Sequence, residues 1–179
     1  MKIKKIVMSL LALGLLLSIL LCTACEKKPE ASDDSDTNKD TPTTQASIVT
    51  VSYKGTTIEL GKDASAVRKA LGDPTSEPKR VASCGDGAGE QWQYTYSSIV
   101  LFTVKNGESE TVDAIVLRDD IAKTGKGITV GSTEAEMTEA YGEPNANGQK
   151  RIYTKGSYTL EFQVNDTGVI THVELRVES

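Results

Sequence analysis

Apolar and polar positions recur along this chain in a pattern that sets its elements. Gly61 to Pro74 reads GKDASAVRKALGDP and Gly131 to Pro144 reads GSTEAEMTEAYGEP, offset by 70 positions without a gap. Each copy follows an apolar alternation, Ile58/Leu60 in the first and Ile128/Val130 in the second. A capping residue then opens one short helix, Asp63 or Thr133, and Thr133 with Glu136 has capping-box spacing. Val67, Ala70 and Leu71 match Met137, Ala140 and Tyr141, the i, i+3, i+4 stripe of a helix lying on a core. Gly72/Gly142 and Pro74/Pro144 end the helices.

The strands that follow repeat as well. Val100, Phe102 and Val104 correspond to Leu160, Phe162 and Val164, 60 positions apart. VDAIVLR (112–118) corresponds to ITHVELR (170–176), 58 apart. Tyr94-Thr95 matches Tyr153-Thr154. Hairpin signals separate the strands, Asn106-Gly107 in one copy and Asp166-Thr167-Gly168 in the other. The unit is a short helix followed by an antiparallel meander, present twice, over about residues 48–120 and 126–179. Ahead of the first helix, 48–60 reads as a hairpin around Lys54-Gly55 that adds strands to the sheet edge. Trp92, Tyr94 and Tyr96 share one strand face by the period of two. Residues 75–91 read as a polar, Gly-rich loop, and 118–126 joins the repeats. The fold class is α+β.

The first 47 residues follow a different pattern. Lys2, Lys4 and Lys5 precede an uninterrupted apolar run, 6–21, of signal-peptide length. The run ends in Leu21-Cys22-Thr23-Ala24-Cys25. Ala24 before Cys25 resembles the bacterial lipobox, which implies a diacylated Cys25 at the mature N-terminus; Cys22 stands where that pattern usually has Leu. An uncleaved anchor helix is the other reading. Two acyl chains suffice for stable anchoring. Residues 26–47, with six acids, three bases and almost no apolar side chains, form a solvated acidic linker. Asp33, Asp34 and Asp36 lack the spacing and closing Glu of a calcium loop.

Charge narrows the partners. After the leader, 17 bases stand against 25 acids, and residues 48–179 carry 14 bases and 19 acids, a net −5. An acidic domain without a Lys/Arg cluster argues against nucleic acid. Catalysis finds little material. One His (His172) and one Cys beyond the leader (Cys84) match no cysteine-hydrolase signature. A structural zinc site wants four N/S ligands. The CGDGAGE run at 84–90 has no following Gly-Lys-Ser/Thr. Asp119/Asp120 read as polar linker, and Cys84 as a loop thiol or an intermolecular disulfide partner. No cofactor or metal is expected.

One surface stands out instead. With Val100, Phe102, Val104, Ile115 and Leu117 in unit one, and Leu160, Phe162, Val164, Val173 and Leu175 in unit two, turned to the helices, the opposite face of unit one carries Ile99, Leu101, Thr103, Ala114, Val116 and Arg118. The same positions of unit two are Thr159, Glu161, Gln163, His172, Glu174 and Arg176, a wet face. An apolar patch left on one repeat is either a partner-binding surface or a surface covered by the 75–91 loop or the N-terminal hairpin. Tyr96, Ile99, Leu101 and Val116 are the candidate partner contacts.

A lipidated chain with two such units, each opening hydrophobic-x-hydrophobic-Gly-x-[Ser/Thr/Asp] and closing Gly-x-Pro, resembles the β-lactamase-inhibitor-protein-like (BLIP-like) fold over residues 48–179. It is similar also to single-unit outer-membrane assembly lipoproteins of the SmpA/OmlA kind and to uncharacterised Firmicutes lipoproteins. The resemblance implies helices on one face of the sheet and an open, concave opposite face that clamps another protein. No inhibitor contact residue carries over by motif. The expectation is a non-catalytic, membrane-anchored, extracytoplasmic module on a Gram-positive-type surface. It would bind an unidentified protein, inhibition of an enzyme included. The alternative is a structural or assembly accessory of the envelope; a small-ligand receptor or thiol enzyme ranks below both.

Overall fold

The computed structural model describes residues 48–81 and 89–178. The leader, Cys25, the 26–47 linker and Cys84 lie outside the described residues. All described residues belong to Lys39–Ser179, one of two compact units of the chain. Among them no helix is long and apolar enough to cross a membrane.

The chain is α+β, mostly antiparallel sheet with two short helices. In order it gives β1 (Thr50–Tyr53), β2 (Thr56–Glu59), α1 (Ala64–Leu71), β3 (Lys79–Val81), β4 (Glu90–Thr95), β5 (Ile99–Asn106) and β6 (Ser109–Leu117). Then come β7 (Lys123–Thr124), α2 (Glu134–Tyr141), β8 (Ala146–Asn147), β9 (Lys150–Lys155), β10 (Tyr158–Val164) and β11 (Ile170–Val177). The main sheet has eight strands in the order β3-β4-β5-β6-β11-β10-β9-β8, so that β6 and β11 meet at its centre.

The first hairpin does not extend that sheet. It forms a separate three-stranded sheet, β2-β1-β7, in which Val51 pairs with Thr124. The 118–126 connection therefore supplies a strand as well as a link. The hairpin turn has positive φ at both Lys54 (50°) and Gly55 (75°), the backbone that matches strand twist in a two-residue loop.

Both helices form where the caps predict. The Asp63 carboxylate accepts from Ala66 N at 2.9 Å. Thr133 closes a reciprocal box: Glu136 N donates to its hydroxyl at 3.2 Å, and its own backbone N–H donates to the Glu136 carboxylate at 2.7 Å. The Thr133 backbone N–H, and its hydroxyl at 2.9 Å, both donate to the exposed Glu136 carboxylate and hold it below its usual range. Each helix ends on a glycine with positive φ, Gly72 (75°) and Gly142 (78°). The loops that open the helices are stitched to the main sheet in the same way. Gly61 N donates to Val112 O and Val112 N to Lys62 O, while Gly131 N donates to Ile170 O and Ile170 N to Ser132 O. One stripe differs from expectation. Ala64, Val67 and Leu71 are buried in α1, whereas Ala70 is exposed, because the helix enters the core at its first residue.

A single cluster of contacting buried side chains joins these elements. It includes Val51, Tyr53 and Ile58 of the small sheet, Val67, Leu71 and Met137 of the helices, and Ile115, Leu160, Phe162 and Leu175 of the large sheet. At the α2 end, Tyr141, Tyr153 and Phe162 pack with ring centroids 5.4 to 6.0 Å apart. The Tyr153 hydroxyl donates to Gly142 O at 2.8 Å, tying β9 to the end of α2.

Burial first, and then the nearby Glu143 charge, pushes the Tyr153 phenol up to about 12. Burial likewise raises Tyr94, Tyr96 and Tyr141. A phenol held protonated in the fold stabilises it fully below the unfolded value near 10, and that contribution is lost as pH rises toward the folded value. Phenolate absorbance and loss of circular dichroism are thus expected to rise together between about pH 10 and 12. Complete phenol ionisation near pH 10 with the dichroism intact would contradict this.

Candidate functional site

The sheet positions decide which side chains a partner can reach. In β5, Ile99 and Leu101 are fully buried, and Tyr96 just before the strand is 1% exposed. All three belong to the core, which corrects their assignment as partner contacts on the open sheet face. Val116 alone of the four lies partly exposed on the other face, paired with Val100 and Glu174. Val100, Phe102 and Val104, expected to point at the helices, share that outer face and are partly exposed.

The reason is a one-residue slip in matching the repeats. Val112 and Ile170 exchange the same backbone hydrogen bonds with the loops that open α1 and α2, and that match sets Ile115 against Val173. Ile115 pairs with Leu101, and Val173 with Phe162. Leu101, not Phe102, is therefore the counterpart of Phe162. Because successive strand side chains alternate faces, that single step inverts the strand. A bulge between Phe102 and Thr103, with Asp113 as the extra residue, lets Val112 and Ile115 both face inward.

The outer face has two halves. On the β5–β6 half, Val100, Phe102, Val104 and Val116 form an apolar strip. Burial raises the Asp113 carboxyl beside it, opposed by the Gln91 amide that donates to it at 2.8 Å. On the β10–β11 half, Glu161 is only 3% exposed. Lys150 Nζ lies 2.9 Å and Arg176 Nη1 3.4 Å from its carboxylate oxygens. Burial raises the Glu161 pKa, and hydrogen bonds from Lys150, Gln163 and Arg176 together outweigh it, so the net shift is downward. His172 Nε2 is 3.3 Å from Glu174 Oε2 on the same half. The β10–β11 half is therefore polar but not the solvated face expected of it, since Thr159 and Glu161 are buried there, and the apolar strip beside it is made by other residues than those expected.

A second feature lies on the inward side of β4. Sequence reasoning missed it, because its residues come from stretches far apart in the chain, 65–78, 94–96 and Glu110. A cavity of about 730 Å³ opens between α1, the 72–78 loop and β4, with Arg68, Tyr94 and Tyr96 in its wall. The loop is fastened to the end of β4 by Thr75, whose N–H and hydroxyl both donate to Thr95 O, at 2.7 and 2.9 Å. Glu110 of β6 is 8% exposed and gathers the polar groups behind this wall. It accepts from Arg68 Nη2 at 2.8 Å, Thr103 Oγ1 at 2.6 Å and Tyr94 Oη at 3.1 Å. The Arg68 guanidinium also stacks over the Tyr94 ring, 4.7 Å from its centroid. Glu110 shares the inward parity of Val112, and a charge at such a position was the signal available in the sequence.

Among the described residues, two polar atoms of the wall find no partner, Arg68 Nε and Tyr96 Oη. Among the described residues, no group of three His, Cys, Asp or Glu side chains could hold a metal ion.

No known family profile matches the chain, and no curated protein matches it. Solved structures give weak likenesses, of which three follow. A DUF4309 family protein (YjgB) from Bacillus subtilis is 17% identical, with a TM-score of 0.38, over 65% of this chain and 79% of its own. A cysteine-rich secretory protein from Staphylococcus aureus is 12% identical, with a TM-score of 0.43, over 66% of this chain and 44% of its own. An extracellular protein containing an SCP domain, from Bacillus anthracis, is 11% identical, with a TM-score of 0.39, over 86% of this chain and 50% of its own. The chain thus spans half or less of the length of the latter two.

Proposed function

We propose that this chain is a lipoprotein anchored through Cys25 on the extracytoplasmic side of a Gram-positive-type membrane. Its domain at 48–179 acts as a non-catalytic protein-binding module. In this reading the domain is two tandem helix-plus-meander units of BLIP-like kind, with the helices on one face of the sheet and the opposite face open to a partner. The acidic 26–47 linker holds it away from the membrane.

The observation that carries the reading is the apolar strip of Val100, Phe102, Val104 and Val116 on the outward sheet face, bordered by the charged Glu161–Arg176–Glu174 side chains. Strands present such a surface rigidly, and apolar anchors within a polar rim are what a protein interface uses. The partner is accordingly a protein with an apolar centre and charged flanks.

Crosslinking the full chain in its native membrane tests this against a Phe102→Glu/Val116→Glu variant. Charge on two outward positions leaves the fold intact and should cut partner recovery about tenfold or more, the effect of losing one good anchor. Equal recovery of the same proteins by both chains would sink the proposal.

A further inference from the structure

We infer that the groove between α1, the 72–78 loop and β4 is a second binding site, one that takes the backbone amides of an extended, uncharged peptide segment. Its chemistry is set by two donors. Tyr96 Oη and Arg68 Nε are buried without a hydrogen-bond partner, and both residues line the groove. Tyr96 is 1% exposed as a residue, and it forms part of the groove wall. Arg68 cannot turn away to satisfy its Nε–H, because Glu110 holds one end of the guanidinium and the Tyr94 ring lies under its face. Buried donors without acceptors are unfavourable, and a ligand oxygen that parts the wall enough to reach either one relieves it.

Charge chooses between a carbonyl and a carboxylate. Arg68 and Lys69 are opposed by Asp73 and Glu77 on the rim and by Glu110 behind the wall. Two cations against three anions leave no net positive potential to draw an anion, so the matching acceptor is neutral. The rim carboxylates of Asp73 and Glu77 in turn suit N–H donors. A group carrying a carbonyl oxygen and N–H donors in alternation is a polypeptide backbone. Pro74, Pro78 and the Tyr94 ring give apolar walls for its side chains. The volume of about 730 Å³ lies within the range of established ligand sites. The groove is preformed, since Thr75 pins its loop to β4, and a preformed site spends little binding energy on ordering itself.

The test uses the full chain in detergent micelles, immobilised and exposed to a pool of randomised hexapeptides blocked by acetyl and amide groups. Enriched sequences are then titrated in solution through the emission of Trp92, the only tryptophan, which lines the adjoining cavity with Arg68 and Tyr94. Enrichment is expected, with binding weakened at least tenfold by Tyr96→Phe and unaffected by Phe102→Glu. Tyr96→Phe should also leave the thermal midpoint of the free protein unchanged or raise it, since it deletes an unpaired buried hydroxyl. Any of four results would overturn the inference: no enrichment, indifference to Tyr96→Phe, a lowered midpoint, or acetate competing as well as the peptides. Sensitivity to Phe102→Glu alone would place the peptides on the outer sheet face, leaving the groove without a role.

Discussion

Leu101→Glu is expected to leave the chain unfolded in buffer at room temperature. Leu101 is fully buried, paired with Ile115 on one side and Tyr94 on the other. Removing a buried leucine costs about 2–5 kcal/mol in lost transfer and residual cavity. The incoming carboxylate finds no described cation directly paired with this site, and burying an unpaired charge costs several kcal/mol more or forces it to be protonated. Domains of this size are stable by only about 5–15 kcal/mol, so the sum reaches the whole margin. Phe102→Glu, one residue away on the outward face, should retain native circular dichroism and a cooperative melt. Far-ultraviolet dichroism with a urea titration separates the two. A folded Leu101→Glu beside an unfolded Phe102→Glu would mean that the strand faces are reversed.

The second large effect belongs to Glu110. Truncating it to Ala strips Arg68, Thr103 and Tyr94 of a common acceptor and leaves a partly buried guanidinium unpaired. Breaking a buried pair in this way costs about 3–5 kcal/mol. The Arg68 side chain is 34% exposed, and solvent can recover part of its hydration, so about 3 kcal/mol is expected. Arg68→Met combined with Glu110→Met should recover most of that loss, because no uncompensated charge remains. A urea-unfolding cycle over the two single variants and the double reads the coupling directly. A single Glu110→Ala loss below about 1 kcal/mol would show that the network is not a buried one.

Much of this architecture is written locally, and what is local was legible. Caps at Asp63 and Thr133, stops at Gly72 and Gly142, and the turns at Lys54-Gly55 and Asn106-Gly107 depend on residues a few positions apart. The structure places each element there. The α+β class followed from the same signals. Long-range pairing was not legible in that way: nothing near β1 announces that its partner is Lys123–Thr124, so the local pattern points to an extension of the large sheet instead.

The face of β5 failed for another reason. Ile99 to Val104 is apolar on both faces, apart from Thr103, so alternation carries no sign there. The repeat match through two phenylalanines then chose the wrong parity. In β10, where Thr159, Glu161 and Gln163 interrupt the apolar positions, the same reasoning placed Leu160 and Phe162 in the core correctly. Of the four candidate contacts, Val116 keeps its outward place, while Tyr96, Ile99 and Leu101 do not. The groove was invisible because Arg68, the 72–78 loop, Tyr94 and Glu110 come together only when the sheet is assembled.

The measurement that bears most directly on the central claim is site-specific photocrosslinking in the native membrane. A photoreactive side chain is placed at Phe102, at Val116 and, as a control outside the strip, at Lys123. One protein crosslinked from positions 102 and 116, and not from 123, is the result predicted for an outward face that binds a partner. Crosslinks at 102 and 116 running only to this chain's own residues would contradict it, since the strip would then be covered by the protein itself.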